Sequence, residues 1–124
     1  MAAVLVVDDA DSFRDMLRMV LEDAGHRVAE ASDGTSCLQA LAQQRFDLLV
    51  IDMMMPGMDG IEAVRRLRGN HRSLKVIAMS GGNAAFAAGM ALKMAEMYGV
   101  DKVLLKPFSN AALLESVSAL LPVE

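Results

Sequence analysis

Apolar residues in this chain gather into short unbroken runs, each closed by a polar or charged residue. Val4-Leu5-Val6-Val7 ends in the acidic pair Asp8-Asp9, and Leu48-Leu49-Val50-Ile51 ends in Asp52. Val76-Ile77-Ala78-Met79 ends in Ser80, and Val103-Leu104-Leu105 ends in Lys106-Pro107. Runs of this length without alternation predict strands covered on both faces. Between them the period changes to that of a helix. Phe13, Met16, Leu17, Val20, Leu21 and Ala24 form one stripe, with Asp11 as the expected cap and Gly25 as a left-handed stop. A short second strand through Val28 leads to Asp33, the expected cap of a helix carrying Leu38 and Leu41. Asp59 and Glu62 have capping-box spacing for a helix bearing Ile61, Val64 and Leu67. Ser109 is placed to cap a last helix bearing Leu113, Leu114, Val117, Leu120 and Leu121, which stops before Pro122.

Strand and helix alternate five times, which predicts an α/β fold: a doubly wound, five-stranded parallel sheet with five helices. In such sheets ligands bind at the C-terminal ends of the strands. The polar closures of four strands therefore converge on one edge. The stretch from Gly81 to Gly99 is the least regular. Gly81-Gly82-Asn83 predicts a loop, with Asn83 able to cap a helix ending near Tyr98. Gly89 inside that helix costs about 1 kcal/mol relative to alanine, and the twenty-five residues between Ser80 and Lys106 predict a longer fourth helix or a longer loop before it.

With 124 residues, 54% hydrophobic and 23% charged, the chain is expected to be a single globular domain, 1–124, large enough for a sizeable core. A net charge of −4 argues against a nucleic-acid surface. Cys37 is the single cysteine, on the apolar side of a predicted helix; it is expected to be a buried, inert thiol in a reducing compartment. The N-terminus lacks a basic leader, and no apolar stretch approaches the ~20 residues of a membrane helix. A cytoplasmic protein without membrane insertion is the expectation. Eleven methionines are many for this length, and Met53, Met54, Met55 and Met58 crowd the loop after Asp52. Met90, Met94 and Met97 share one later helix, and core filling is the expected role for most of them. His26 and His71 lack metal-ligand spacing and are expected at the surface.

Three carboxylates (Asp8, Asp9, Asp52), a hydroxyl (Ser80) and an amine (Lys106) at one sheet edge suit a divalent cation and a phosphoryl group. The acidic pair, the run Asp52-Met53-Met54-Met55-Pro56-Gly57-Met58-Asp59-Gly60, Ser80 and Lys106-Pro107-Phe108 stand in an order that resembles the receiver domain of bacterial two-component response regulators. The resemblance extends from Val4 to Leu121. It implies a flavodoxin-like sheet in the order 2-1-3-4-5, and at 124 residues a stand-alone receiver without an attached output domain is the expectation. It implies that Asp52 accepts a phosphoryl group from a histidine kinase or histidine phosphotransfer protein, and that signalling proceeds by binding a downstream protein. Direct nucleic-acid contact is not implied, nor is any enzymatic activity beyond the domain's own phosphoryl transfer and slow autodephosphorylation.

The resemblance also assigns roles. Aspartate is a weak nucleophile toward an anionic phosphoryl group, and Mg²⁺ (or Mn²⁺) screens that charge and orients the oxygens. Asp9 and Asp52 fit as direct ligands, Asp8 directly or through water, and Met54 through its carbonyl, where any side chain serves. Lys106 supplies a permanent positive charge, and Pro107 has the cis bond typical of the family. The Ser80 hydroxyl bonds the phosphoryl group. Two departures stand out. Val103 occupies the position, three before the lysine, where the family often has Tyr or Phe, leaving Tyr98 or Phe108 to couple the site to the distal surface. Met54 and Gly82, each two beyond a site residue, offer no acid or amide to hold a hydrolytic water. The competing readings are a small metal-dependent phosphatase with an aspartate nucleophile, a flavin- or nucleotide-binding module, and a receiver fragment of a larger regulator. The phosphatase normally has a second aspartate where Met54 stands. The nucleotide module needs a phosphate-binding loop where Asp8-Asp9-Ala10-Asp11 would repel phosphate.

Overall fold

The structure, a computed structural model, describes residues 2–55, 60–71, 73–81, 89, 93 and 99–121. Its strands are β1 (Ala3–Val7), β2 (Arg27–Ala31), β3 (Leu48–Asp52), β4 (Lys75–Ser80) and β5 (Lys102–Leu105). The helices are α1 (Asp11–Asp23), α2 (Gly34–Gln43), α3 (Gly60–Leu67) and α4 (Asn110–Leu120). All strand pairings are parallel, in the order β2-β1-β3-β4-β5. The helix expected between Gly81 and Gly99 falls largely outside the described residues, although Gly89 and Lys93 within it are helical. Gly82, Asn83, Met90, Met94, Met97 and Tyr98 lie outside them, as do Met58 and Asp59.

Alternation along the central strands splits the core in two. Leu5, Val7, Leu49, Ile51, Val76 and Ala78 face one side, where Cys37 and Leu41 of α2 and Val64 and Leu67 of α3 cover them. Val4, Val6, Leu48, Val50, Ile77 and Met79 face the other, against Leu17 and Leu21 of α1 and Leu113 and Val117 of α4. Two aspartates set the strand register at the opposite edge from the polar closures. The Asp47 amide donates to the Ala3 carbonyl while its Oδ2 accepts from the Ala3 amide at 2.9 Å. Asp101 makes the same pair of bonds to Val76, its Oδ2 accepting at 2.8 Å.

Helix ends follow local chemistry. Asp33 accepts from the Ser36 amide at 2.7 Å, and Ser109 accepts from the Ala112 amide at 3.0 Å, as the cap spacing predicts. Gly25 takes φ +95° after α1. Asp11 is a correction: the N-cap of α1 is Ala10, without a side-chain bond, and Asp11 is the first helical residue, paired with Arg14 at 2.8 Å. The stripe on α1 is also narrower than its sequence, since Met16 is 39% exposed and Ala24 is exposed. Cys37 is fully buried, and burial pushes its thiol up to about 12, which makes it inert. Met53 and Met55 are core residues, whereas Met54 between them is 62% exposed. No described helix is long and apolar enough to cross a membrane.

Candidate functional site

β1 ends one residue before Asp8, and the turn that follows is held by side chains. Asp8 Oδ1 accepts from the Ala10 amide at 2.9 Å, which folds the chain into α1. Arg14, one turn into α1, donates from Nη1 to the Asp8 carbonyl at 2.7 Å and from Nε to Glu30 of β2 at 3.2 Å. The acidic turn is thereby tied to the neighbouring strand. Asp8 is fully buried and Asp9 is exposed.

Asp52 closes β3 beside this turn and is itself buried. Its Oδ1 accepts from the Met54 amide at 3.1 Å. The close approach of α3 depends on Gly60. A Cβ there would collide with the Asp52 carbonyl oxygen and lie 2.7 Å from the Met53 Cα, so only glycine lets the helix start against the strand end. Lys106 follows β5, and the Lys106–Pro107 bond is cis. Its ammonium donates to Asp8 Oδ2 at 2.9 Å and to Asp52 Oδ2 at 3.4 Å. The same nitrogen lies 4.5 Å from the centroid of the Phe13 ring. Ser80 closes β4, where its carbonyl accepts from the Lys106 amide at 2.8 Å and its hydroxyl donates to the Gly81 carbonyl at 3.2 Å.

The electrostatics of the cluster are unbalanced. Carboxylate oxygens of Asp8, Asp9 and Asp52 lie within 4.8 Å of one another. Among the described residues, three carboxylates face one ammonium there, which leaves excess negative charge. For Asp52, burial dominates and raises its carboxyl above the ordinary range; the Met54 amide and Lys106 pull it down, and Asp8 pushes it up further. For Lys106, partial burial opposes the charge, but the bond to Asp8 and the charges of Asp52 and Asp8 outweigh it, so the ammonium titrates above an ordinary lysine. The donor set is all oxygen, with neither imidazole nor thiolate among its members, and a hard divalent cation such as Mg²⁺ fits it.

The fold therefore brings together Asp8, Asp9, Asp52 and Lys106, with Ser80 on the next strand end and Met54 two residues beyond Asp52. Gly82 lies outside the described residues. Three contributors escape the sequence reading. Gly60 stands in the quoted run, and Arg14 and Phe13 lie on α1, but their contacts to Asp52, Asp8 and Lys106 exist only in the folded chain. A glycine opening a helix is the one available signal among them.

The chain matches the family model of the response regulator receiver domain over residues 4–118, and it belongs to that family. It is 35% identical over 121 residues to the transcriptional regulatory protein AfsQ1 of Streptomyces coelicolor, covering 98% of this chain and 52% of that protein. Identity to the response regulator MprA of Mycobacterium tuberculosis is 37% over 118 residues, covering 95% of this chain and 50% of that protein. The chain thus spans about half the length of these curated relatives. Among solved structures it resembles the chemotaxis response regulator CheY4 of Vibrio cholerae, with a TM-score of 0.88 and 31% identity, over 98% of this chain and 99% of that one. The response regulator TrrA of Thermotoga maritima, solved in complex with Mg(2+)-BeF, aligns with a TM-score of 0.84 and 26% identity, over 98% of this chain and 100% of that one.

Proposed function

We propose that this receiver is a phosphorylation-dependent switch whose phosphoacceptor is Asp52. An Asp52 carboxylate oxygen attacks the phosphorus of a phosphohistidine on a histidine kinase or phosphotransfer protein. The P–N bond breaks, an acyl phosphate forms on Asp52, and the imidazole nitrogen left behind takes up a proton. Asp8, Asp9, Asp52 and the Met54 carbonyl would hold Mg²⁺ (or Mn²⁺), which supplies charge screening between the carboxylate and the anionic phosphoryl group. Lys106 places a fixed positive charge beside the acceptor, and the Ser80 hydroxyl turns from Gly81 to donate to a phosphoryl oxygen. The phosphorylated form biases a two-state surface that a downstream protein reads. The chain acts catalytically on itself alone, in its own phosphoryl transfer and the slow loss of the group.

The observation that carries this reading is the meeting of three carboxylates within 4.8 Å with an ammonium 3.4 Å from the buried Asp52. The Mg(2+)-BeF complex of TrrA supports it by family likeness. Incubation with Mg²⁺ and acetyl phosphate should add one phosphoryl group, seen by intact mass. Asp52→Asn should take up none; equal labelling of that variant sinks the assignment.

A further inference from the structure

We infer that Phe13 is a positioning residue for Lys106, holding the ammonium over the carboxylates through the face of its ring. This deepens the proposed phosphoryl transfer at Asp52 and rests on that reading for its kinetic consequence, though not for its geometry. Lys106 Nζ is 4.5 Å from the Phe13 ring centroid, well within the range at which an aromatic quadrupole attracts a cation. The lysine side chain is 26% exposed, so without a restraint it can turn out toward water. Two of its contacts are to Asp8 and Asp52, the groups whose charge would change or be shared with a metal when the site is in use. The third is to a ring that neither titrates nor binds metal.

The ring is itself fixed from two directions. Phe13 lies in the first turn of α1, whose start is set by the bond from the Ala10 amide to Asp8. Phe108, two residues beyond Lys106, packs edge-on against Phe13 with centroids 5.9 Å apart and planes at 75°. The segment that delivers the lysine thus returns to brace the ring beneath it. A π face attracts charge without a lone pair that fixes the direction of one N–H. The ammonium can therefore turn all three N–H groups toward carboxylate and phosphoryl oxygens and still keep this contact. An apolar residue of similar size at position 13 would fill the core equally well and lose this function.

The experiment compares the wild type with Phe13→Leu, Phe13→Trp and Phe13→pentafluorophenylalanine; the last keeps the ring's shape and reverses its quadrupole. Carbon-13 NMR of the metal-free protein reads the Lys106 Cε–Hε shifts, which the ring should move upfield. Acetyl phosphate with Mg²⁺ reads the rate of phosphorylation. The Leu and pentafluorophenylalanine variants should lose the upfield shift and be phosphorylated about fivefold more slowly, with melting temperatures close to wild type. The Trp variant should keep both properties. An unchanged shift in the Leu and pentafluorophenylalanine variants overturns the inference, and so does a lost shift with an unchanged rate. If Phe13→Leu fails to fold, the pentafluorophenylalanine variant decides alone. If the wild type takes up no phosphoryl group, the reading of Asp52 fails, and the shifts still decide whether Phe13 holds Lys106.

Discussion

Lys106 keeps its shorter contact with Asp8, at 2.9 Å, and the longer one, at 3.4 Å, with Asp52. The buried Asp8 thus anchors the ammonium beside the proposed acceptor without depending on the acceptor's own charge. Removing the cation leaves Asp8, 1% exposed in its side chain, facing Asp52 without the ammonium that bridges them. Breaking a buried pair from one side is destabilising, here discounted because Lys106 is partly solvated. Lys106→Met should lower stability by about 1–3 kcal/mol in metal-free buffer. Millimolar Mg²⁺ should restore part of that loss. Chemical denaturation with and without Mg²⁺ checks it, and a variant as stable as wild type in both buffers contradicts the anchoring role.

Metal binding should depend on Asp9, which is exposed and therefore removable at little structural cost. Mg²⁺ at ten times its dissociation constant should stabilise the wild type by about 1.4 kcal/mol through mass action. Asp9→Ala should lose most of that increment while melting normally without metal. A wild-type melting temperature that does not move across millimolar Mg²⁺, with no heat in a calorimetric titration, excludes a metal site here.

Burial raises the Asp52 carboxyl above its ordinary range, with a definite consequence for pH. As pH climbs, the unfolded chain releases this proton first, so the folded state holds more protons in the window between the ordinary and the raised value. Stability from this group therefore falls as pH rises through that window and stays lower above it. Asp52→Asn should remove that decline. At pH 7 in metal-free buffer it should be the more stable protein, with the higher Tm. Melting curves across acid to neutral pH test the sign directly, and a less stable Asp52→Asn protein at pH 7 refutes it.

Gly60 is the backbone requirement of the site. Gly60→Ala drives a methyl group into the Asp52 carbonyl, and neither the central strand nor the helix can yield cheaply. A loss of about 2–4 kcal/mol is expected, at or above the usual cost of overpacking. Phosphorylation should slow as well, because the displaced atoms belong to the acceptor residue. A variant that folds and labels like wild type shows that α3 can shift freely.

Much of this was legible before folding. Strand ends announce themselves because a polar residue abruptly closes each apolar run, as at Asp8, Asp52, Ser80 and Lys106. Caps at Asp33 and Ser109 follow from local hydrogen bonding, which needs no tertiary information. Ala10 displaced Asp11 as the cap of α1 because Asp8 already turns the chain through the Ala10 amide, leaving Asp11 to pair with Arg14. The exposure of Met54 between buried Met53 and Met55 was illegible, since a loop has no period by which to sort faces. The Phe13–Lys106 and Arg14–Asp8 contacts join residues of α1 to the site across tertiary space, and helical spacing marks Phe13 only as apolar.

Met54 sits where its side chain can govern how long phosphorylation lasts. Its amide holds Asp52 Oδ1 at 3.1 Å, so its Cα is fixed beside the acceptor, while the side chain is 62% exposed at the mouth of the site. Hydrolysis of an acyl phosphate needs a water in line with the P–O bond, and an amide or acid can hold that water by hydrogen bonding. A thioether is a poor partner for water and occupies the space instead, so slow autodephosphorylation is expected. Met54→Asn should speed the loss of phosphate about threefold if it lowers the barrier by ~0.7 kcal/mol. Met54→Leu, equally apolar and of similar size, should decay like wild type. Decay of purified phosphoprotein in Mg²⁺ buffer distinguishes the cases. If the Asn and Leu variants decay alike, the side chain at position 54 does not control the water, and the lifetime is set by other groups around Asp52.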